Sequence, residues 1–206
     1  MSAFTLQQEI AYYLTPVELS HYLPINTGLR SATQETMISL LGSPAMPLTT
    51  EDHPSKASPT VKKLMKTVKV SAHVVVTAIQ PALDSLAVVL KNAFASENLP
   101  ANGGHDLEGV LGTDGMLVVR LRRPTSGIPS NKISNHAWGT AIDMKITGHS
   151  SPANTGDHIP RFIAVLLPFF HQEGWYSGIS FHDTMHFEVS EGTAQAWSDQ
   201  GKFKTT

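Results

Sequence analysis

Two short segments of the chain carry a set of side chains that can bind a metal ion. Segment 134–143 contains His136 and, seven positions later, Asp143. Segment 183–188 contains His186, with Asp183 three positions before it. Two imidazoles and one carboxylate are enough to hold a catalytic zinc ion that keeps one position open for water. Asp183 is then free to take a proton from that water, so the residue types predict metal-assisted hydrolysis.

The composition of the chain excludes several other kinds of site. The 206 residues are 41% hydrophobic and 16% charged, which is typical of a folded domain. The net charge is −2 and the Lys and Arg residues are scattered, so we expect no nucleic-acid partner. Because there are no cysteines, disulfides and thiolate ligands are excluded, and any metal must be held by His and carboxylate side chains.

The first residues of the chain do not resemble an export signal. Residues 1–9 lack a basic segment followed by an apolar run, so we expect no secretory signal peptide. No segment has the roughly 20 apolar residues that a membrane span needs. The sequence therefore predicts a protein made in the cytoplasm, which would need another delivery route to reach a substrate outside it.

Strands and a tight turn are expected to position the metal-binding side chains. Residues 116–121 and 140–146 have the composition of strands, and 186–189 are predicted to form a final core strand. Gly139, three positions after His136, permits a tight turn into the second of these strands. That turn would bring His136 back towards Asp143, and His186 would approach from across the sheet.

Helices are predicted around this sheet. Apolar spacing and caps indicate a helix over 4–14, a second that stops at Gly42, and a longer one with Pro81 in its first turn. A further helix is predicted to begin near Pro160 and end by Gly174, and Pro168 would kink or shorten it. Residues 43–60 are proline-rich and are predicted to form a long loop. The predicted fold class is α+β: a small antiparallel sheet carries the zinc site and is packed by helices. Residues 1–70 would form a helical N-terminal extension, and residues 71–206 the domain with the chemistry.

From the residues alone, two interpretations of the His/Asp set other than a zinc site stay open. Histidine and aspartate also occur as plain hydrogen-bonded pairs without a metal. A non-haem iron oxygenase likewise uses two histidines and one carboxylate. Its usual first pair is separated by a single residue, whereas six residues separate His136 from Asp143, and Asp183 would have no role. The other eight histidines are expected to be ordinary surface or core residues.

The order and spacing of the two motifs resemble a known enzyme family. The pattern Ser134-x-His136-x-x-Gly139-x-Ala141-x-Asp143, followed by Asp183-x-x-His186-Phe187-Glu188, is similar to that of the zinc D-alanyl-D-alanine peptidases. This family includes D-Ala-D-Ala carboxypeptidases and dipeptidases and phage L-alanyl-D-glutamate endolysins. It is related in fold to the lysostaphin-type peptidases and the hedgehog signalling domain. The resemblance covers roughly residues 70–190.

The resemblance implies a role for each residue of the motifs. His136, Asp143 and His186 would be the zinc ligands, and Asp183 the general base. Many members have Glu at the base position, and the Asp is more similar to the phage endopeptidase branch. The implied activity is zinc-dependent hydrolysis of a peptide bond in the peptidoglycan stem peptide or its cross-link, by a zinc peptidase domain over residues 71–206.

The family also uses an arginine upstream of the first ligand, to hold a substrate carbonyl or carboxylate. A guanidinium suits this role because it stays charged and donates a planar fork of hydrogen bonds. The candidates are Arg120, Arg122 and Arg123, of which Arg120 and Arg123 best fit an R-x-x-R pattern. The alternative is that this segment is a solvated basic edge strand.

Several roles stay open at this stage. A substrate cleft or the core would contain the aromatic side chains of Trp138, Trp175 and Tyr176. Ser134 would lie near the metal or cap the turn. Glu188 would orient a ligand or simply end a strand. A catalytically inactive binding module, as in the hedgehog relatives, is a further alternative, against which the retained Asp183 argues. A missing export signal fits a phage endolysin released through a holin, or an antibacterial effector that is injected and neutralised by an immunity protein. Either would act in the periplasm or cell wall.

Overall fold

The computed structural model describes residues 4–123, 130–149 and 156–204. The fold is α+β, as the sequence predicts. The helices are α1 (Leu6–Leu14), α2 (Gln34–Leu41), α3 (Pro59–Leu64), α4 (Gln80–Glu97), α5 (Arg161–Gln172) and α6 (Glu191–Asp199). The strands are β1 (Pro16–Glu18), β2 (Met65–Lys69), β3 (Val75–Ile79), β4 (Leu111–Gly115), β5 (Ala141–Ile146), β6 (His158–Pro160), β7 (Trp175–Ser177) and β8 (His186–Val189). No helix in these described ranges is long and apolar enough to cross a membrane.

The main sheet is antiparallel and has the strand order β4-β5-β8-β7. Its two central strands, β5 and β8, are the ones that the sequence predicts over 140–146 and 186–189. The register sets Asp143 directly opposite His186 and Ala141 opposite Glu188. Residues that face each other in an antiparallel pair bring their side chains close together on one face of the sheet. The register therefore brings two of the candidate ligands together.

The helix α5 covers this sheet with aromatic side chains. Phe170 stacks on Phe187 of β8 with a centroid separation of 3.9 Å, and meets Trp175 of β7 edge-on at 5.4 Å. Trp138 and Trp175 are fully buried, so both are core residues and not part of an open cleft. Such buried aromatic rings contribute large apolar contact areas and hold β7 and β8 against α5.

The first 70 residues pack against the rest of the chain at several points. Strand β1 pairs with β6, and an isolated bridge joins Ser31 to Ser190 just before α6. Helix α1 contacts α5, and α2 contacts α6. The boundary at residue 70 stays a prediction.

The proline-rich segment 43–60 is a loop only in its first part, because a short 3₁₀ helix (Pro54–Lys56) and then α3 follow.

One predicted strand is wrong. The apolar run over 116–121 is irregular, and the strand in this region, β4, lies at Leu111–Gly115 instead. The backbone of the run is bonded to separate segments: Leu117 N–H donates to Thr77, Val119 N–H to the Asp52 carboxylate, and Leu121 N–H to Thr49. An apolar run predicts burial, but a strand also needs one continuous neighbour, which this segment does not have.

Candidate metal centre

A tight turn brings His136 back onto the β5–β8 pair. His136 lies in a short 3₁₀ helix (Asn135–Trp138) that ends at Gly139, which has a positive φ of 64°. A Cβ atom at Gly139 would lie only 3.0 Å from the Ala78 Cα atom of β3. Both the backbone conformation and this close approach require glycine. The turn predicted from Gly139 is confirmed.

Three candidate ligand atoms converge at the end of this turn. His136 Nε2 lies 3.2 Å from Asp143 Oδ1 and 3.2 Å from His186 Nδ1. His186 Nδ1 lies 3.0 Å from the same Asp143 oxygen. Both histidines are buried, and Asp143 is partly exposed. Among the described residues, this is the one group of three His or carboxylate side chains placed to hold a metal ion.

The remaining ring nitrogens determine what the converging atoms can bind. His136 Nδ1 lies 2.9 Å from the Met116 carbonyl oxygen, which can only accept a hydrogen bond. His186 Nε2 lies 3.0 Å from a Glu188 carboxylate oxygen. If each of these nitrogens carries the proton of a neutral ring, the lone pairs of His136 Nε2 and His186 Nδ1 both point at an Asp143 oxygen. Three atoms that all carry lone pairs repel one another at this distance unless a cation lies between them. Two imidazole nitrogens and one carboxylate oxygen are a ligand set that zinc binds.

The charges in the site stabilise a bound cation more than the same side chains would in isolation. Burial by itself would raise the pKa of Asp143, but hydrogen bonds from His136 and His186 outweigh it and hold that pKa far below its usual range. Burial would lower the pKa of His186, but Asp143 and Glu188 outweigh it and raise that pKa to about 10. The two carboxylates thus stabilise positive charge at His186, whether a proton or a metal ion supplies it.

Glu188 holds the back of His186. Its carboxylate is buried and accepts hydrogen bonds from the His186 ring, from Asn135 Nδ2 at 2.8 Å and from the Ser31 hydroxyl. Burial opposes ionisation of Glu188, but the hydrogen bond and charge of His186 lower its pKa. A carboxylate behind a ligand histidine fixes the ring orientation and makes the ring a stronger ligand. The geometry thus supports the orienting role of Glu188 over a plain strand-end carboxylate.

We expect the Glu188→Gln substitution to weaken metal binding about 10- to 100-fold. Glutamine offers one acceptor oxygen where the carboxylate accepts from three donors, so one donor would face an amide NH₂ group. Titration of the metal-free protein with zinc, read by calorimetry, checks this. Ser31→Ala is the matched control, since it removes one donor but leaves the bond between Glu188 and His186, and should have a smaller effect. Equal zinc affinity in Glu188→Gln and the wild type would contradict the orienting role.

Asp183 stands next to the three-residue cluster but is not part of it. It lies in the turn before β8: its N–H donates to the Gly178 carbonyl at 2.9 Å, and its own carbonyl accepts from His186 N–H at 3.2 Å. Asp183 as a whole residue is exposed, while its carboxyl group is partly buried. Partial burial of the carboxyl group raises its pKa, and the nearby Asp143 raises it further, against the opposing effect of His186. Asp183 therefore has the properties of a stronger base than an ordinary surface aspartate.

The three upstream arginines differ in their surroundings. Arg120 is partly buried, its Nε has no hydrogen-bond partner, and one terminal nitrogen donates to the Leu121 carbonyl at 3.1 Å. Burial and then Arg123 lower the pKa of Arg120, while Asp143 and Asp183 oppose this, so Arg120 is within electrostatic range of the metal centre. Arg122 is partly buried, and Arg123 is exposed.

The site also uses residues that the sequence did not single out. Ser31 and Asn135 hold Glu188, as described above. Asp52 accepts the Val119 N–H at 2.7 Å and thereby fixes the backbone next to Arg120. Serine, asparagine and aspartate are common in loops, and no spacing rule connects positions 31 or 52 to the two motifs. Only the three-dimensional contacts reveal these roles.

The comparisons with known proteins agree with the motifs. Residues 129–189 match the sequence model of a family described as D-alanyl-D-alanine carboxypeptidase. No curated protein matches the chain. The matched segment contains His136, Asp143, Asp183 and His186, which are the site residues described above. The resemblance to the zinc D-alanyl-D-alanine peptidases is therefore confirmed.

Proposed function

We propose that this protein is a zinc peptidase that hydrolyses a peptide bond in the stem peptide or cross-link of peptidoglycan. The observation that carries the proposal is the convergence of His136 Nε2, His186 Nδ1 and Asp143 Oδ1 inside the segment that matches the D-alanyl-D-alanine carboxypeptidase family. Iron would accept the same donor set. The family match to a peptidase and the presence of Asp183 beside the cluster favour hydrolysis over oxygenation.

The residues of the site divide the chemistry between them. His136, Asp143 and His186 would hold zinc, which supplies a Lewis acid that polarises the scissile carbonyl and lowers the pKa of water. Asp183 accepts a proton from the attacking water and passes it to the leaving amine. Asp183 lies beside the cluster without being one of its three candidate ligands, so its carboxylate is available for both halves of that transfer.

Arg120 is the arginine best placed to bind the substrate. Its buried Nε has no partner, and a buried donor without a partner is costly unless a ligand satisfies it. A carboxylate or developing oxyanion of the substrate would accept from this guanidinium in a water-poor environment, where such bonds are strongest. Arg123 is exposed, and its charge acts on Arg120. We propose that Arg120 contacts the substrate and that Arg123 adds positive charge nearby.

We expect Arg120→Ala to lower kcat/KM on the order of 10²-fold while the bound zinc is unchanged. Arg120→Lys should recover only part of the activity, since an ammonium lacks the planar fork. Arg123→Ala is the matched control and should change kcat/KM much less. Steady-state kinetics with a soluble stem peptide, together with elemental analysis for zinc, measure both quantities. Equal kinetics in Arg120→Ala and the wild type would mean that Arg120 does not bind the substrate.

The finer identity of the enzyme also belongs to this proposal. The bond cut would be L-Ala-D-Glu, D-Ala-D-Ala or the cross-link between diaminopimelate and D-Ala. The aspartate at position 183 resembles the phage endopeptidase branch, whereas the matched family model is described as a carboxypeptidase, so both activities remain candidates. A role as an endolysin or an injected effector would place the activity in the periplasm or cell wall, with a holin or an immunity protein as partner.

Digestion of purified muropeptides tests the proposed function. We expect new products with the wild type, identified by mass spectrometry, and none after a chelator removes the metal. The masses of the products identify the bond that is cut. Readdition of zinc should restore the products. If no muropeptide is cut by the zinc-loaded protein, the proposed function is wrong.

A further inference from the structure

A lysine-rich hairpin lies outside the metal centre and has no part in the chemistry above. We call residues 62–79 the basic hairpin: the end of α3, followed by the antiparallel pair β2–β3. Strand β2 is exposed at every position. The lysines of this segment, all exposed, are Lys62, Lys63, Lys66 and Lys69.

The positive charge of the hairpin is not balanced by nearby acidic residues. No Asp or Glu occurs from residue 53 to residue 83, whereas this segment contains five lysines. The whole chain has a net charge of −2, so the remainder carries a net charge of −7. Of the ion pairs within 4.0 Å in the described ranges, none includes a lysine of the hairpin. The basic hairpin is therefore a local excess of positive charge on a chain whose net charge is negative.

The base of the hairpin is attached to the metal centre. The Thr77 carbonyl of β3 accepts from Leu117 N–H at 3.0 Å, next to Met116, whose carbonyl accepts from the His136 ring. The glycine turn after His136 packs on the Ala78 backbone of the same strand. The base of the hairpin thus lies against the backbone segments that position His136.

We propose that the basic hairpin binds the anionic peptidoglycan layer and holds the enzyme on its insoluble substrate. This inference rests on the proposed function. Stem peptides with D-glutamate or diaminopimelate carry free carboxylates, so the wall presents many weak negative charges, and exposed lysines attract such a surface without a defined pocket. The chain outside the basic hairpin has a net charge of −6 and is repelled by the same surface, which orients the hairpin towards it.

A purely structural role for these lysines makes a different prediction. Lysines on an exposed edge strand also prevent sheets from pairing edge to edge. If this were their only role, removing the charges would promote self-association and leave binding to the wall unchanged.

The test compares two variants that each lose three positive charges. In the first, Lys63, Lys66 and Lys69 of the hairpin are replaced by Gln. The matched control replaces three exposed lysines elsewhere, Lys91, Lys202 and Lys204, by Gln. For both and for the wild type, three quantities are measured: co-sedimentation with purified insoluble sacculi over a range of NaCl concentrations, hydrolysis of sacculi, and hydrolysis of a soluble stem peptide. Co-sedimentation with vesicles of phosphatidylglycerol and phosphatidylcholine is measured in parallel.

We expect the hairpin variant to lose on the order of tenfold in binding to sacculi at low salt, and to hydrolyse sacculi correspondingly more slowly. Its hydrolysis of the soluble peptide and its thermal midpoint should equal those of the wild type, and the control variant should bind normally. The binding of the wild type should itself fall at roughly 1 M NaCl, where the Debye length is about 3 Å.

Three results would overturn the proposal: undiminished binding of the hairpin variant to sacculi, salt-independent binding of the wild type, or lysine-dependent binding to vesicles but not to sacculi. In each case hydrolysis of the soluble peptide shows separately whether the proposed peptidase function stands.

Discussion

Replacing His186 by alanine is expected to abolish both metal binding and peptidase activity. The Nδ1 atom of His186 is one of the three atoms that converge within 3.2 Å, and two remaining ligands hold zinc poorly. The substitution also leaves the buried Glu188 carboxylate without its imidazole partner. Elemental analysis for zinc and the muropeptide assay measure the two losses.

A thermal shift separates loss of the metal from loss of the fold. Zinc that binds only the folded protein raises its thermal midpoint, so added zinc should stabilise the metal-free wild type. It should have no such effect on His186→Ala or on His136→Ala. His21→Ala, at an exposed position, is the matched control and should keep both the zinc and the shift. If His186→Ala retained one zinc per chain, the ligand set would be different from the one proposed here.

The centre of the fold follows closely from local sequence patterns. Alternating side chains predict β5, so that Asp143 faces one side while Ile142 and Met144 face the core. Gly139 predicts the turn because few other residues adopt its backbone conformation. These patterns are local, and they specify the most tightly constrained part of the site. The two central strands and the turn after His136 are therefore predictable from local patterns, while the approach of His186 to Asp143, 43 positions away, is predicted only by the two motifs taken together.

The supporting contacts are not predictable in the same way, because they join distant parts of the chain. Ser31 reaches Glu188 across 157 positions, and Asp52 reaches Val119 across 67. The failed strand over 116–121 has the same cause: its polar backbone atoms bond to several segments that no local pattern relates to it. These contacts tie part of the first 70 residues to the site, since Ser31 holds the carboxylate behind a candidate ligand. Removing that segment should therefore perturb the metal centre.

The structure also explains why Asp183 can be tested without disturbing the ligands. Its backbone N–H and carbonyl bond to Gly178 and His186, and these bonds position the start of β8. A change confined to the side chain leaves both bonds intact. Asparagine has nearly the shape of aspartate, so the substitution Asp183→Asn removes the ability to accept a proton and little else.

We therefore expect Asp183→Asn to keep the fold and close to one zinc per chain, yet lose on the order of 10²-fold or more in turnover, the range expected of a general base. Steady-state kinetics on the muropeptide, elemental analysis for zinc and thermal unfolding measure these three properties on the same preparation. Asp157→Asn, an equivalent change at an exposed position away from the cluster, should alter none of them. Loss of zinc in Asp183→Asn would mean that Asp183 is a ligand and that one of His136, Asp143 and His186 is not. Full activity with zinc retained would mean that another group accepts the proton, because no asparagine can do so at neutral pH.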